Sequence, residues 1–164
     1  MTIPFAHLLA AHAPRAHRAA LGIMGEEQEA REVAQEALLK AHRAQDRYDH
    51  DRPFYPWLYR IVKNTCLDAI ARGKHRAKPG LDDQRVPSIQ ASALDQLDQR
   101  EAIAHMRRAI QKLSDEHREI ISMRHFQDLS YTEIGEILDA PAGTVMSRLY
   151  RARRALARVL EDGQ

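Results

Sequence analysis

The chain reads as all-α: two small helical domains joined by a flexible linker. Three observations predict this. Ala, Leu, Glu, Gln and Arg, all good helix formers, dominate the 164 residues. Aromatics make up only 5%, and a large β core would need more Val, Tyr and Phe than this. Apolar residues recur at helical spacing on both sides of a stretch over 79–93 whose Pro79-Gly80, Asp82-Asp83, Pro87-Ser88 and Ser92 break every period. The domains are expected at 1–78 and 94–164, with 79–93 too poor in apolar residues to pack alone.

In the first domain, residues 5–21 read as a helix of small and apolar positions interrupted by Pro14, and Leu21-Gly22-Ile23-Met24-Gly25 as a break. A second helix runs from about Glu26 to Ala44, with Ala30, Val33, Ala34, Ala37, Leu38 and Ala41 on one face. Arg47 to Pro53 is a polar turn. The next helix begins near Phe54 and ends near Arg72. Its pairs Trp57/Leu58, Ile61/Val62, Thr65/Cys66 and Ala69/Ile70 give the cleanest helical period in the chain. That period favours a core place for Trp57 over a stacking platform, and a packed thiol for Cys66. Gly73 stops the helix, with Arg72 and Lys74 suited to its negative end.

In the second domain, Ile103, Met106, Ile110 and Leu113 give one helix, and Ser114 is a fair N-cap for the next, which carries Ile120, Ile121 and Met123. Ser130-Tyr131-Thr132-Glu133 has the spacing of a capping box and opens a short helix with Ile134, Ile137 and Leu138 inward. Asp139-Ala140-Pro141 is a turn, and Pro141 suits the first turn of the last helix because its missing N–H is not needed there. That helix buries Val145, Leu149, Ala152, Leu156 and Val159.

A short helix, a tight turn and a longer basic helix make a helix-turn-helix. Thr144, Ser147, Arg148 and Arg151 share a face distinct from the apolar stripe. Such a face can enter a major groove, where Arg reads guanine edges and Ser or Thr anchors nearby groups. Arg153, Arg154 and Arg158 lie further along, suited to phosphates. The alternative is an ordinary helical hairpin with a charged outer face. Net charge is only +2, but basic residues cluster at Arg72 to Lys78 and at Arg148 to Arg158, the latter holding five arginines and no acid. Two such clusters favour a polyanion partner.

Other classes fit poorly. The nine histidines are scattered without His-x-x-x-His spacing, a single cysteine allows no Cys-x-x-Cys, and Asp82-Asp83 sit in the linker. No enzyme activity, metal or cofactor is expected. No apolar run approaches membrane-span length, no signal-peptide pattern opens the chain, and one cysteine fits a reducing compartment. A cytoplasmic protein is expected.

Leu113-Ser114-Asp115-Glu116-His117-Arg118-Glu119-Ile120-Ile121, Leu129 to Leu138, and Pro141-Ala142-Gly143-Thr144-Val145-Met146-Ser147-Arg148-Leu149-Tyr150-Arg151-Ala152-Arg153-Arg154 resemble the sigma-4 domain of the extracytoplasmic-function (ECF) branch of the sigma-70 family. Glu29 to Ala41, Tyr48-Asp49 and Arg52 to Asn64 resemble its sigma-2 domain. The resemblance implies a factor that binds core RNA polymerase, reads a −35 duplex and a melted −10 strand of promoter DNA, and is held by an anti-sigma factor. It implies polymerase contact through Glu32, Gln35 and Glu36. It puts Asn64 in a pocket for a flipped −10 base, formed with Tyr48, Asp49, His50 and Phe54. Arg60, Lys63, Arg72, Lys74 and Arg76 would meet phosphates. Sigma-4 would read −35 DNA with Pro141, Gly143, Thr144, Ser147, Arg148, Arg151, Arg153 and Arg154. The linker, with Asp82 and Asp83, would thread the polymerase cleft.

Two residues depart from the family's pattern: Met146, at a position usually basic, and Arg31, where an acid is usual. The rival reading, a stand-alone helix-turn-helix regulator, explains residues 114–158 equally well but leaves the Trp57 helix and the Gln35-Glu36 helix unexplained.

Overall fold

The structure, a computed structural model, describes residues 3–73 and 93–163. These form α1 (Phe5–Met24), α2 (Glu27–Arg43), α3 (Phe54–Ala71), α4 (Ala93–Gln111), α5 (Asp115–Ile121), α6 (Tyr131–Leu138) and α7 (Ala142–Glu161). A 3₁₀ turn covers Gln45–Arg47 and a π-helical turn covers Ser122–Phe126. There is no strand among the described residues. Ala93 opens α4; the rest of the linker expected at 79–93 lies outside the described residues, as do Lys74 and Arg76. Among the described residues no helix is long and apolar enough to cross a membrane, and no group of three His, Cys, Asp or Glu could hold a metal ion.

Helices α1, α2 and α3 pack against one another. Helix α1 runs unbroken through Pro14, contrary to the interruption expected there. Pro14 and Ala10, whose carbonyl loses its partner, are both exposed, so water can satisfy the freed oxygen. Meanwhile Leu9, Ala16, Ala19, Ala20 and Met24 hold the helix to its neighbours. Gly22 does not break it either. Its end is Gly25, at φ 78°, whose N–H donates to the Leu21 carbonyl at 2.9 Å. Glu26 then caps α2, its carboxylate accepting from the Gln28 and Glu29 N–H groups at 3.1 and 2.8 Å. Helix α3 follows the expected period closely. Cys66 is fully buried, and burial pushes its thiol up to about 12.

In the C-terminal lobe, α5, α6 and α4 pack on α7. Ile110 and Leu113 are buried there, whereas Met106, expected inward, is 40% exposed because the buried pair at the end of α4 is Ala109-Ile110. Ser114 caps α5 as expected, accepting from the His117 N–H. The π turn carries one residue more than an α-helical turn: the Gln127 N–H reaches back five residues to the Ser122 carbonyl at 3.1 Å. It leaves Met123 and Gln127 buried.

The capping box at α6 is complete, with Glu133 N–H donating to Ser130 Oγ at 3.1 Å and Ser130 N–H donating to Glu133 Oε2 at 2.9 Å. The turn between α6 and α7 passes through Asp139 at φ 50° and brings the Ala140 N–H to the Gly135 carbonyl at 2.9 Å. Pro141 stands at the N-cap, one residue before α7, and its carbonyl accepts from Val145 at 3.1 Å.

The two lobes are docked on one another: α3 packs against α6, and α1 against the π turn. Most of their buried apolar residues form one contiguous cluster that spans both lobes. Arg15, on α1, donates to Glu133 Oε1 at 3.0 Å while its guanidinium lies 3.8 Å from the Tyr55 ring centroid. Glu133 thus caps α6 with one oxygen and ties the lobes with the other.

Two predictions follow from this packing. A Cβ at Gly135 would stand 2.7 Å from the Ala140 carbonyl oxygen, whereas one at Gly143 meets nothing within 4 Å. Gly135→Ala should cost about 1–3 kcal/mol and lower the thermal midpoint by several degrees; Gly143→Ala should leave it unchanged or slightly higher. Burial raises the Glu133 pKa, but the hydrogen bonds from Arg15 and Ser130 outweigh it and hold the carboxyl below its ordinary value of 4.5. A depressed carboxyl stabilises the fold fully above its unfolded pKa, and that contribution fades as pH falls through the folded value. Urea midpoints followed from about pH 6 to 3 should therefore drop less steeply for Glu133→Gln than for the natural chain.

Candidate nucleic-acid interface

Helix α7 buries Val145, Leu149 and Ala152 and half-buries Leu156 and Val159, so its remaining faces are set by phase alone. Ser147, Arg151, Arg153 and Arg154 are exposed, with Pro141 and Gly143 exposed at its start. Thr144 is half-buried, and its carbonyl accepts from Ser147 Oγ at 3.0 Å. Arg148 lies nearer the packed face, and its Nε is 3.7 Å from Glu116 Oε1. Arg153 donates to His125 Nε2 at 3.3 Å. Burial and the charges of Arg153 and Arg124 lower the His125 pKa, which suits a neutral ring accepting from Arg153. Of the residues named for −35 reading, Ser147, Arg151 and Arg154 share the outward strip, while Arg148 and Arg153 flank it, tied to their own lobe. Met146 and Tyr150, 56% and 60% exposed, lie beside the strip. Tyr150 was not singled out from the sequence; its signal was an aromatic out of phase with the apolar stripe.

On the N-terminal lobe, the loop ahead of α3 is built around aromatic rings. Tyr48 lies 4.9 Å from His50, 5.1 Å from Phe54 and 5.3 Å from Trp57 by ring centroids, and Phe5 joins from α1. Tyr48 donates its hydroxyl to the Arg52 carbonyl at 2.7 Å, and Asp49 accepts from the Asp51 N–H at 3.0 Å. Tyr48, Asp49 and His50 therefore border one partly exposed surface. Phe54 is buried and supports it from beneath, and Trp57 is half-buried in the same cluster.

Asn64 and Arg60 are exposed one turn apart on α3, with Leu67 (48% exposed) a further turn on. Arg60 donates to the Glu136 carbonyl, and Lys63 is paired with Glu119. Two of the cations named for −10 phosphates are thus occupied by the C-terminal lobe. Arg72 lies 3.7 Å from Glu36, at the far end of α3. Nothing in the sequence pointed to Arg15, Glu119, Glu133 and Glu136 as the residues that hold the lobes together.

On α2, Glu32 and Gln35 are exposed, and Leu39 (60% exposed) extends their strip, an apolar residue out of phase with the buried stripe. Glu32 accepts from Gln28 Nε2 at 3.0 Å. Glu36 is 3.0 Å from Lys40, whose hydrogen bond, with help from Arg72, lowers its pKa against the opposing effect of burial. Arg31 pairs with Glu27 at 3.4 Å within the helix.

Residues 8–76 match Sigma-70 region 2 and residues 103–156 match Sigma-70, region 4. The RNA polymerase sigma-H factor of Pseudomonas aeruginosa is 38% identical, over 82% of this chain and 74% of its own length. The ECF RNA polymerase sigma factor SigW of Bacillus subtilis is 32% identical, over 96% of this chain and 89% of its own. The fold is shared with the sigma factor RpoE of Bartonella quintana, solved with the anti-sigma factor NepR. That likeness has a TM-score of 0.68 at 22% identity and covers 96% of each chain. With both regions matched in order and relatives aligned over most of its length, the chain belongs to the ECF sigma factors of the sigma-70 family.

Proposed function

We propose that the chain binds core RNA polymerase and directs initiation at promoters with two elements. The lobe at 94–164 reads a −35 duplex through α7, the lobe at 1–78 captures the melted −10 strand, and residues 79–93 join them. The observation that carries this reading is the pairing, on one chain, of an exposed Ser147–Arg151–Arg154 strip on a helix-turn-helix with an exposed Asn64 beside an aromatic loop. Duplex reading uses Arg and Ser at base edges. Strand capture uses an amide, which offers both donor and acceptor, near rings on which a base can stack. Polymerase docks on Glu32, Gln35 and Leu39, with Glu36 freed from Lys40 on contact. The role is binding rather than catalysis, and it is carried out in the cytoplasm, where polymerase works. An anti-sigma partner covers these surfaces, as NepR accompanies the Bartonella factor.

Undocking belongs to this reading. Arg60 and Lys63 reach a −10 phosphate only after leaving Glu136 and Glu119. The Lys63–Glu119 ion pair is half-exposed, so it is weak and salt-sensitive, and the Arg60 bond to a surface carbonyl exchanges readily with water.

Run-off transcription with core polymerase on a promoter library tests the whole. Factor-dependent transcripts sharing two elements support it; failure to bind a competent core overturns it in favour of a stand-alone regulator. Arg151→Ala should cost about 1–3 kcal/mol in promoter binding with relaxed choice at one −35 position. Arg148→Ala should relax choice less, because Glu116 already engages that side chain. Asn64→Ala should weaken duplex and pre-melted promoters alike; a loss on duplex alone assigns it to melting.

A further inference from the structure

Met146 and Tyr150 are the large exposed side chains with apolar surface on α7. Singly, neither would call for an account. Together they are one turn apart, about 40° around the helix from each other, with Ser147 about 60° beyond Tyr150. Arg154 stands a further turn on, its guanidinium 5.8 Å from the Tyr150 ring. The result is a strip with an apolar edge and a cationic edge, beginning five residues after Pro141 at the N-terminal end of the helix.

An occupant of this strip must be anionic overall and apolar at a defined place. The major groove of duplex DNA meets both demands. Its phosphates flank the groove, and the thymine C5-methyl is the apolar group on its floor. A lysine or arginine at 146 would instead seek guanine acceptors or a phosphate. Met fits an irregular apolar contact well, because its unbranched thioether adapts to shape.

We propose that Met146 and Tyr150 read thymine methyl groups, so that the −35 element of this factor carries thymine opposite residue 146. This rests on the reading that α7 enters the −35 duplex.

The test changes the DNA rather than the protein. Deoxyuridine replaces each −35 thymine in turn, removing one methyl and keeping every hydrogen-bonding group. Affinity is measured for the complete factor with core polymerase on a promoter recovered by run-off transcription. At one or two positions the natural factor should lose about fourfold, the worth of one buried methyl. Met146→Ala should bind thymine and uracil equally at that position, and Met146→Lys should shift its preference toward guanine. Indifference to uracil at every position, while Arg151→Ala still loses promoter binding, overturns the proposal and leaves −35 reading by α7 standing. Indifference to both changes removes α7 from the −35 duplex altogether.

Discussion

Helix α3 has to be apolar on more than one side, and the arrangement of the molecule depends on that demand. Phe54, Tyr55, Pro56, Leu58, Tyr59, Val62, Thr65, Cys66 and Ala69 are all buried, half of its residues. One side meets α1 and α2 and another meets α6. Groups that cannot tolerate such burial are either satisfied in place or kept neutral. Thr65 donates its hydroxyl to the Ile61 carbonyl at 2.7 Å, burial raises the Tyr59 phenol above its ordinary range, and the Cys66 thiol is kept protonated, a poor nucleophile. The polar side chains of α3 are left a narrow rim, and Arg60, Lys63 and Asn64 occupy it. The surface proposed to face the melted strand is what remains of a helix that two lobes have already claimed.

Features set by neighbours in sequence were legible before the structure. The α3 period, the Ser114 cap, the Ser130–Glu133 box and the α7 stripe all depend on residues three or four apart. Pro14 was misleading because its local penalty is real, yet it falls where the freed carbonyl faces water and burial on either side outweighs it. Lobe docking had no local signature: Arg15 and Glu133 are 118 positions apart, Arg60 and Glu136 are 76, and Lys63 and Glu119 are 56. At the candidate site, spacing put Ser147 and Arg151 on one face, and both are exposed there. It could not distinguish them from Arg148, whose pairing with Glu116 depends on how α5 crosses α7.

Under the proposed function the same few charges serve two configurations. Arg60, Lys63, Arg148 and Arg153 are groups that a polyanion would attract, and each has a partner within the chain. Two of these contacts are ion pairs, Lys63 with Glu119 and Arg148 with Glu116, and near the surface such a pair contributes little net stability; the other two are hydrogen bonds to the Glu136 carbonyl and to His125. A phosphate backbone presents many charges at once and can displace them collectively. The docked form is accordingly held more by the apolar contact of α3 with α6 than by its ion pairs.

The π turn at Ser122–Phe126 has a consequence of another kind. One additional residue rotates everything after it by roughly a third of a turn relative to an uninterrupted α-helix. That rotation lets Met123 and Gln127 point into the interior while His125 meets Arg153 on α7. Deleting any one residue here would keep a plausible helix and put the next residues out of register with both the first lobe and α7. Chain length over these five positions is therefore under tighter constraint than the identity of several side chains within them, and variation here is expected as substitution rather than as insertion or deletion.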